Sequence, residues 1–308
     1  MRKLILLCAS LCSMVLLFSA NPAQALQVLW VASNGSDANN CFVTSPCATF
    51  QGAINKGSVV KINCLNSGDY GAFTITASIT IDCGAGNIGN VNTLSVSAIT
   101  INTSSAATIV LRHLALDGLG SNSFVDGILA APFASGTLVV EDCTIQGFAT
   151  GEAIVFEPSA GRGSLQVSDS RIFNNNNGIL VRPTNNQIAS VTLNRVELTQ
   201  HLANGLILDG AVVAGTMRDS VVGANQVDGV LAQANQVFFT VEQSSIVANL
   251  TAGIQTFSAG SVVNVAASTI GGNGTGVLPS HGSLISFGDN HMSANGSNGN
   301  FTSTTALR

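Results

Sequence analysis

Charge is scarce in this chain. Only 9% of its 308 residues are Asp, Glu, Lys or Arg, against about 25% in an ordinary soluble protein. Helices solvated by Glu and Lys faces are therefore a poor reading. The net charge of −5 also argues against nucleic acid or anionic lipid as a partner. Aromatics are thin as well: one Trp, one Tyr and 14 Phe make up 5%, which leaves few stacking platforms. Proline occurs only 6 times, and beyond residue 25 no apolar run is long enough to span a bilayer. What is present is aliphatic and small. Hydrophobic residues reach 46%, mostly Ala, Val, Ile and Leu, beside 32 Gly and many Asn, Ser, Thr and Gln. That composition suits short strands joined by many turns.

Arg2 and Lys3 precede the apolar stretch from Leu4 to Phe18, and Ala23-Gln24-Ala25 has the small-x-small form of a cleavage site. Residues 1–25 are thus expected to be a signal peptide, and the chain to be secreted or periplasmic. Losing Arg2 and Lys3 lowers the basic count from 11 to 9 against 16 acidic residues, a net −7. Five cysteines then remain. In an oxidising compartment Cys41 with Cys47, and Cys64 with Cys83, are the expected disulfides, leaving Cys143 over. No Cys-x-x-Cys pair supports a metal site.

An internal repeat organises the rest. A small residue followed by an aliphatic one recurs at Gly127-Ile128, Ala153-Ile154, Gly178-Ile179, Gly205-Leu206, Gly229-Val230, Gly253-Ile254 and Gly276-Val277. A second marker runs in parallel at Ile145, Ile172, Leu198, Val222, Ile246 and Ile270, with spacings of 27, 26, 24, 24 and 24 residues. A shared period of this size means a solenoid or propeller. A propeller blade needs about 40 residues and a leucine-rich repeat has its own consensus, so one β-helical coil per unit fits best. Asn175, Asn225, Asn249 and Asn273 each lie three residues after the second marker, with His201 in the equivalent place. Stacking would bring these side chains about 4.8 Å apart, close enough for an amide ladder. The expected organisation is a disulfide loop and cap over 26–58, coils over 59–292 and a polar tail over 293–308.

These repeats, with the opening Trp30-Val-Ala-Ser-Asn-Gly-Ser-Asp-Ala-Asn-Asn-Cys41 and Pro46-Cys47-Ala-Thr-Phe50, resemble secreted bacterial right-handed parallel β-helix repeat proteins of the pectin-lyase-like superfamily. The resemblance implies an all-β, single-stranded right-handed parallel β-helix with an N-terminal cap. It also implies an extracellular polysaccharide or cell-surface glycan as partner. Activity is not implied, because this fold carries lyases, hydrolases, epimerases, adhesins and phage tailspikes. The Asn-Thr-Asp, Asp-Asp, Gly-His-Gly and Arg-Ile-Lys motifs of polygalacturonase-type hydrolases are missing, as is the Asp-rich calcium cluster of pectate-type lyases.

Chemistry in a solenoid can still be assembled from equivalent positions of successive coils. Glu157, Arg182 and Asp209 form one column of alternating sign, and Arg171 with Glu197 another, as structural ladders do. Same-sign neighbours say more. Asp142 and Asp169 occupy equivalent positions before a bend, followed by Arg195 and Asp219, while Asp126 and Glu152 precede successive small-residue markers. A carboxylate pair raises one pKa or binds a cation such as calcium, so Asp142, Asp169 and Arg195 are the leading catalytic candidates; no resident cofactor is expected. Turn aspartates binding their own backbone are the competing explanation. His113 reads as part of a strand with no matching partner column. Between the inward positions, Leu129, Val155, Leu180, Ile207, Leu231 and Leu278 are expected to face outward, interrupted by Gln255, as an apolar contact stripe. Two functions stay open: a protein that binds or modifies carbohydrate, and a non-catalytic adhesive rod.

Overall fold

The computed structural model describes residues 27–84 and 86–305; the signal-peptide reading lies outside these residues. The described chain is a parallel β-helix of about nine turns, and both repeat markers are its stacking registers. Ile128, Ile154, Ile179, Leu206, Val230, Ile254 and Val277 pair in succession along one sheet. Ile145, Ile172, Leu198, Val222, Ile246 and Ile270 do so along another. All of these side chains are buried in one continuous aliphatic core. Parallel sheets demand this, since their inner faces must be covered along the whole stack.

One turn shows how the residues build a coil. Val212–Arg218 runs as a strand, Asp219 reverses direction at φ 50°, Val221–Gly223 forms a short strand, Ala224 bends again at φ 55°, and Val230–Ala232 closes the turn. The first bend recurs at His113, Asp142, Asp169, Arg195, Asp219, Gln243 and Ala267, all between φ 46° and 55°. Asp and His tolerate this left-handed region better than most residues. The long strand Ile128–Glu141 pairs with Ile154–Phe156 at its start and with Gly163–Ser168 at its end. Gly136 allows the passage: its φ is 107°, and a Cβ there would lie 2.0 Å from the Ala107 carbonyl oxygen.

Polar columns satisfy the bends. Asn225 Nδ2 donates to Asn249 Oδ1 at 2.8 Å, Asn249 to Asn273 at 2.9 Å and Asn273 to Asn295 at 3.0 Å. His201 takes its place in this ladder, its Nδ1 accepting from the Asn175 backbone N–H at 3.3 Å. Burial pushes the His201 pKa down to about 4, so the ring is a neutral structural acceptor. A serine ladder runs beside the other bend: Ser220, Ser244 and Ser268 each accept a backbone N–H from the preceding coil. Cys143 stands among these serines, with its own N–H given to Ser170.

Cys41 is bonded to Cys47 and Cys64 to Cys83, and Cys143 is a buried free thiol. Burial pushes the Cys143 pKa up to about 12, which removes the reactive thiolate at physiological pH. Mass analysis of native, unreduced protein treated with iodoacetamide is therefore expected to show both disulfides and an unlabelled Cys143. Rapid labelling at Cys143 would contradict this burial. The helix Phe50–Ile54 packs Phe50 against Tyr70 and Phe73, with ring centroids 4.9 and 5.0 Å apart. At the far end, Ser303–Thr304 pairs with Ile285 and Ser286, so the polar segment after Met292 lies along the last coil. No helix among the described residues is long and apolar enough to cross a membrane.

Candidate functional site

Asp142 and Asp169 line one open depression, but their carboxyls have different partners. Asp169 accepts both arms of Arg195, at 2.5 Å from Nε and 2.6 Å from the terminal nitrogen. This hydrogen-bonded guanidinium holds the Asp169 pKa below the usual carboxylate range, so Asp169 is ionised and its oxygens are committed. Asp142 turns the other way, its Oδ2 lying 3.8 Å from His113 Nε2. The surroundings form an open depression of about 450 Å³ that also includes Arg171, Glu197 and Asp219. Arg171 pairs with Glu197 at 2.8 Å, as the alternating column requires.

His113 was misplaced by its strand-like sequence context. It sits at the bend, in the same column as Asp142, and its Nδ1 meets Asp82 Oδ1 at 2.9 Å. Asp82 lies 31 residues earlier, where the coils have not yet settled into their regular period.

The aliphatic column stacks in register from Leu129 through Val155, Leu180, Ile207, Leu231 and Gln255 to Leu278. Its members alternate with the core residues and do not belong to the core cluster. They are nevertheless less accessible than the alternation suggests. Val155, Leu180 and Ile207 are 4%, 8% and 8% exposed, while Leu129 and Leu231 are half-buried. Each side chain is shielded by its neighbours above and below at the strand spacing of about 4.8 Å.

Beside this column runs a second ladder in which a side chain accepts the backbone N–H of the next coil. Ser97 Oγ accepts from Asp126 N, Asp126 Oδ1 from Glu152 N at 2.8 Å, and Asn177 Oδ1 from Asn204 N at 2.9 Å. Asn204 Oδ1 then accepts from Asp228 N and Asp228 Oδ1 from Ala252 N at 3.0 Å. Two carboxyls in it are strongly perturbed. Burial raises Asp126, the Glu152 N–H lowers it, and the charges of Glu152 and Glu157 with a side-chain hydrogen bond to Glu152 raise it again, to about 7. Burial likewise pushes Asp228 up to about 6, against the Ala252 N–H. Glu157, four strand positions beyond Ala153, accepts from Arg182 Nε at 2.8 Å.

Asp126, raised to about 7, and Glu152 are therefore neighbouring carboxyl groups, half-buried at the edge of an open sheet face. Such a pair can give its proton to a ligand oxygen and take one back. The sequence placed them in successive coils; their shared burial is what distinguishes them from Asp142 and Asp169. Among the described residues no group of three or more His, Cys, Asp or Glu side chains converges to hold a metal ion.

No protein-family model and no curated protein matches the chain. Among solved structures it resembles pectate lyase Pel9A, with a TM-score of 0.55 at 15% identity over 91% of this chain and 78% of that one. It also aligns with the A-module of mannuronan C-5 epimerase AlgE4 from Azotobacter vinelandii, with a TM-score of 0.44 at 11% identity over 80% of this chain and 91% of that one. A GH136 lacto-N-biosidase from Eubacterium ramulus gives a TM-score of 0.42 at 9% identity over 91% and 68%. The likeness to pectate lyase Pel9A shows the fold, a right-handed parallel β-helix.

Proposed function

We propose that the protein is exported, binds an extracellular polysaccharide along the sheet face of Leu129, Val155 and Leu180, and uses Asp126 with Glu152 to cleave it by proton transfer. The raised Asp126 carboxyl beside Glu152 carries this reading. A carboxyl that stays protonated near pH 7 can protonate a glycosidic oxygen as the C–O bond breaks and water adds to the anomeric carbon, the water's proton returning to the Asp126 carboxylate while the neighbouring Glu152 holds the Asp126 pKa up. The half-buried Leu129 and Leu231 of the column give apolar contacts for the C–H faces of sugar rings, and the Glu157–Arg182 pair a polar wall. Export accords with two disulfides. A polysaccharide role accords with the names of the structural neighbours, pectate lyase among them. The acidic character of the wall, with Asp126, Glu152, Glu157 and Asp209 against Arg182, favours neutral chains over uronate polymers.

The test is a screen of neutral polysaccharides beside polygalacturonate and alginate, following reducing ends and unsaturated-uronate absorbance. New reducing ends from a neutral chain are expected. Asp126→Asn and Glu152→Gln should each lower the rate at least about 100-fold, within the usual range for general acid–base groups, while Asp169→Asn leaves it unchanged. Loss of activity in Asp169→Asn, with Asp126→Asn active, would return the chemistry to Asp142, Asp169 and Arg195. Binding with no product from any substrate would favour the non-catalytic adhesive rod.

A further inference from the structure

A separate cleft lies at the bend between the long strands and the short sheet, away from the Asp126 face. It measures about 310 Å³ and is lined by Asn87, Ile88, His113, Leu114, Asp142 and Thr144, with small residues between them. This is the lower end of the range for ligand pockets, about 300–1,000 Å³, enough for one small ring rather than a chain. His113 is fixed at its inner edge. Its Nδ1–H donates to Asp82 Oδ1 at 2.9 Å, and Asp82 is itself held by the Gly84 N–H at 2.9 Å and by Lys61 Nζ at 3.5 Å. Burial alone would raise the Asp82 pKa, but the Gly84 N–H, His113 and Lys61 outweigh it and hold Asp82 below the usual carboxylate range. Asp82 is therefore an anion that accepts, and in the neutral ring the proton stays on Nδ1. Nε2 then presents a lone pair to the cleft.

Across the opening stands Asp142 Oδ2, 3.8 Å from Nε2. That distance is too long for a direct hydrogen bond, and with a neutral ring both atoms are acceptors. Two acceptors side by side at the mouth of a cleft call for a ligand with two adjacent donors. The other nearby charges are already matched, Lys61 to Asp82 and Arg112 Nε to Glu141 at 2.6 Å, so no free cation invites an anion. Thr144 and Asn87 add polar groups, and Ile88, half-exposed, with Leu114 adds an apolar wall.

We propose that this cleft binds the vicinal diol of a neutral monosaccharide unit, one hydroxyl donating to His113 Nε2 and its neighbour to Asp142 Oδ2. The proposal does not rest on the Asp126 reading. The charged groups facing the ring are Asp82 on one side and Asp142 on the other, with Lys61, Arg112 and Glu141 behind them.

The test titrates the full chain with D-galactose and with D-mannose, following the His113 imidazole C–H resonances by NMR. A saturable shift is expected. Asp142→Ala should weaken it at least tenfold, while Asp126→Asn leaves it unchanged. Absence of a saturable shift with either sugar overturns the proposal, as does an unaltered response in Asp142→Ala. Because the readout is the wild-type His113 signal, neither outcome depends on a variant of His113 folding, and failure of the Asp126 reading leaves it untouched.

Discussion

Replacing Asp228 by asparagine is expected to stabilise the protein above about pH 6 and to flatten its stability between about pH 4 and pH 6. Asp228 is 2% exposed, and burial raises its pKa from 3.8 to about 6 in the folded chain. Between those two values the folded state holds a proton that the unfolded state has released. Stability therefore falls as pH rises through this window, and above it the loss is complete. A shift of about two units corresponds to about 3 kcal/mol at 1.4 kcal/mol per unit. Asparagine removes the charge and keeps the Oδ1 that accepts the Ala252 N–H; Asn177 and Asn204 already do this work in the same ladder. Urea denaturation of both proteins across this pH range measures the difference. A wild-type stability that does not decline between pH 4 and pH 6 would show that the Asp228 carboxyl is solvated.

A larger loss is expected from Asn249→Ala. Asn249 donates to the Val222 carbonyl at 3.3 Å and to Asn273 Oδ1, and accepts from the Asn225 backbone N–H and from Asn225 Nδ2. It is buried, so the groups it leaves cannot turn to water. Each orphaned buried group costs about 1–3 kcal/mol, and with two or three affected the loss should be about 3–5 kcal/mol. Asn295→Ala, at the half-exposed end of the same ladder, should lose about 1 kcal/mol or less because water replaces the amide. Equal losses at the two positions, read from urea midpoints at constant m-value, would mean that the ladder is not cooperative with the core.

Legibility in the sequence followed the regularity of the coils. Every inner position of a coil must carry an aliphatic residue, so the markers at Ile179 and Leu198 repeat at a period that can be counted. The Asn ladder was visible for the same reason, and so was the place of His201 within it. The pairing of His113 with Asp82 was not visible. It spans 31 residues in the first, irregular coils, where no period aligns the two columns. The bend column was aligned correctly, but which neighbour each side chain turns to was not. Asp169 could face Asp142 or Arg195 at equal coil spacing, and the attraction of opposite charges decided for Arg195.

The sequence by itself determined the architecture, its register and its disulfide partners, because one-residue slips would exchange the buried and outer faces of every strand. Only the tertiary structure decided which carboxyls are chemically unusual. A pKa depends on how much water and which charges surround a group in three dimensions, and Asp126, Asp142, Asp169 and Asp228 are the same residue in the sequence. Packing placed Asp126 beside Glu152 and partly out of water, gave Asp169 a guanidinium, and left Asp142 facing an imidazole across an open cleft.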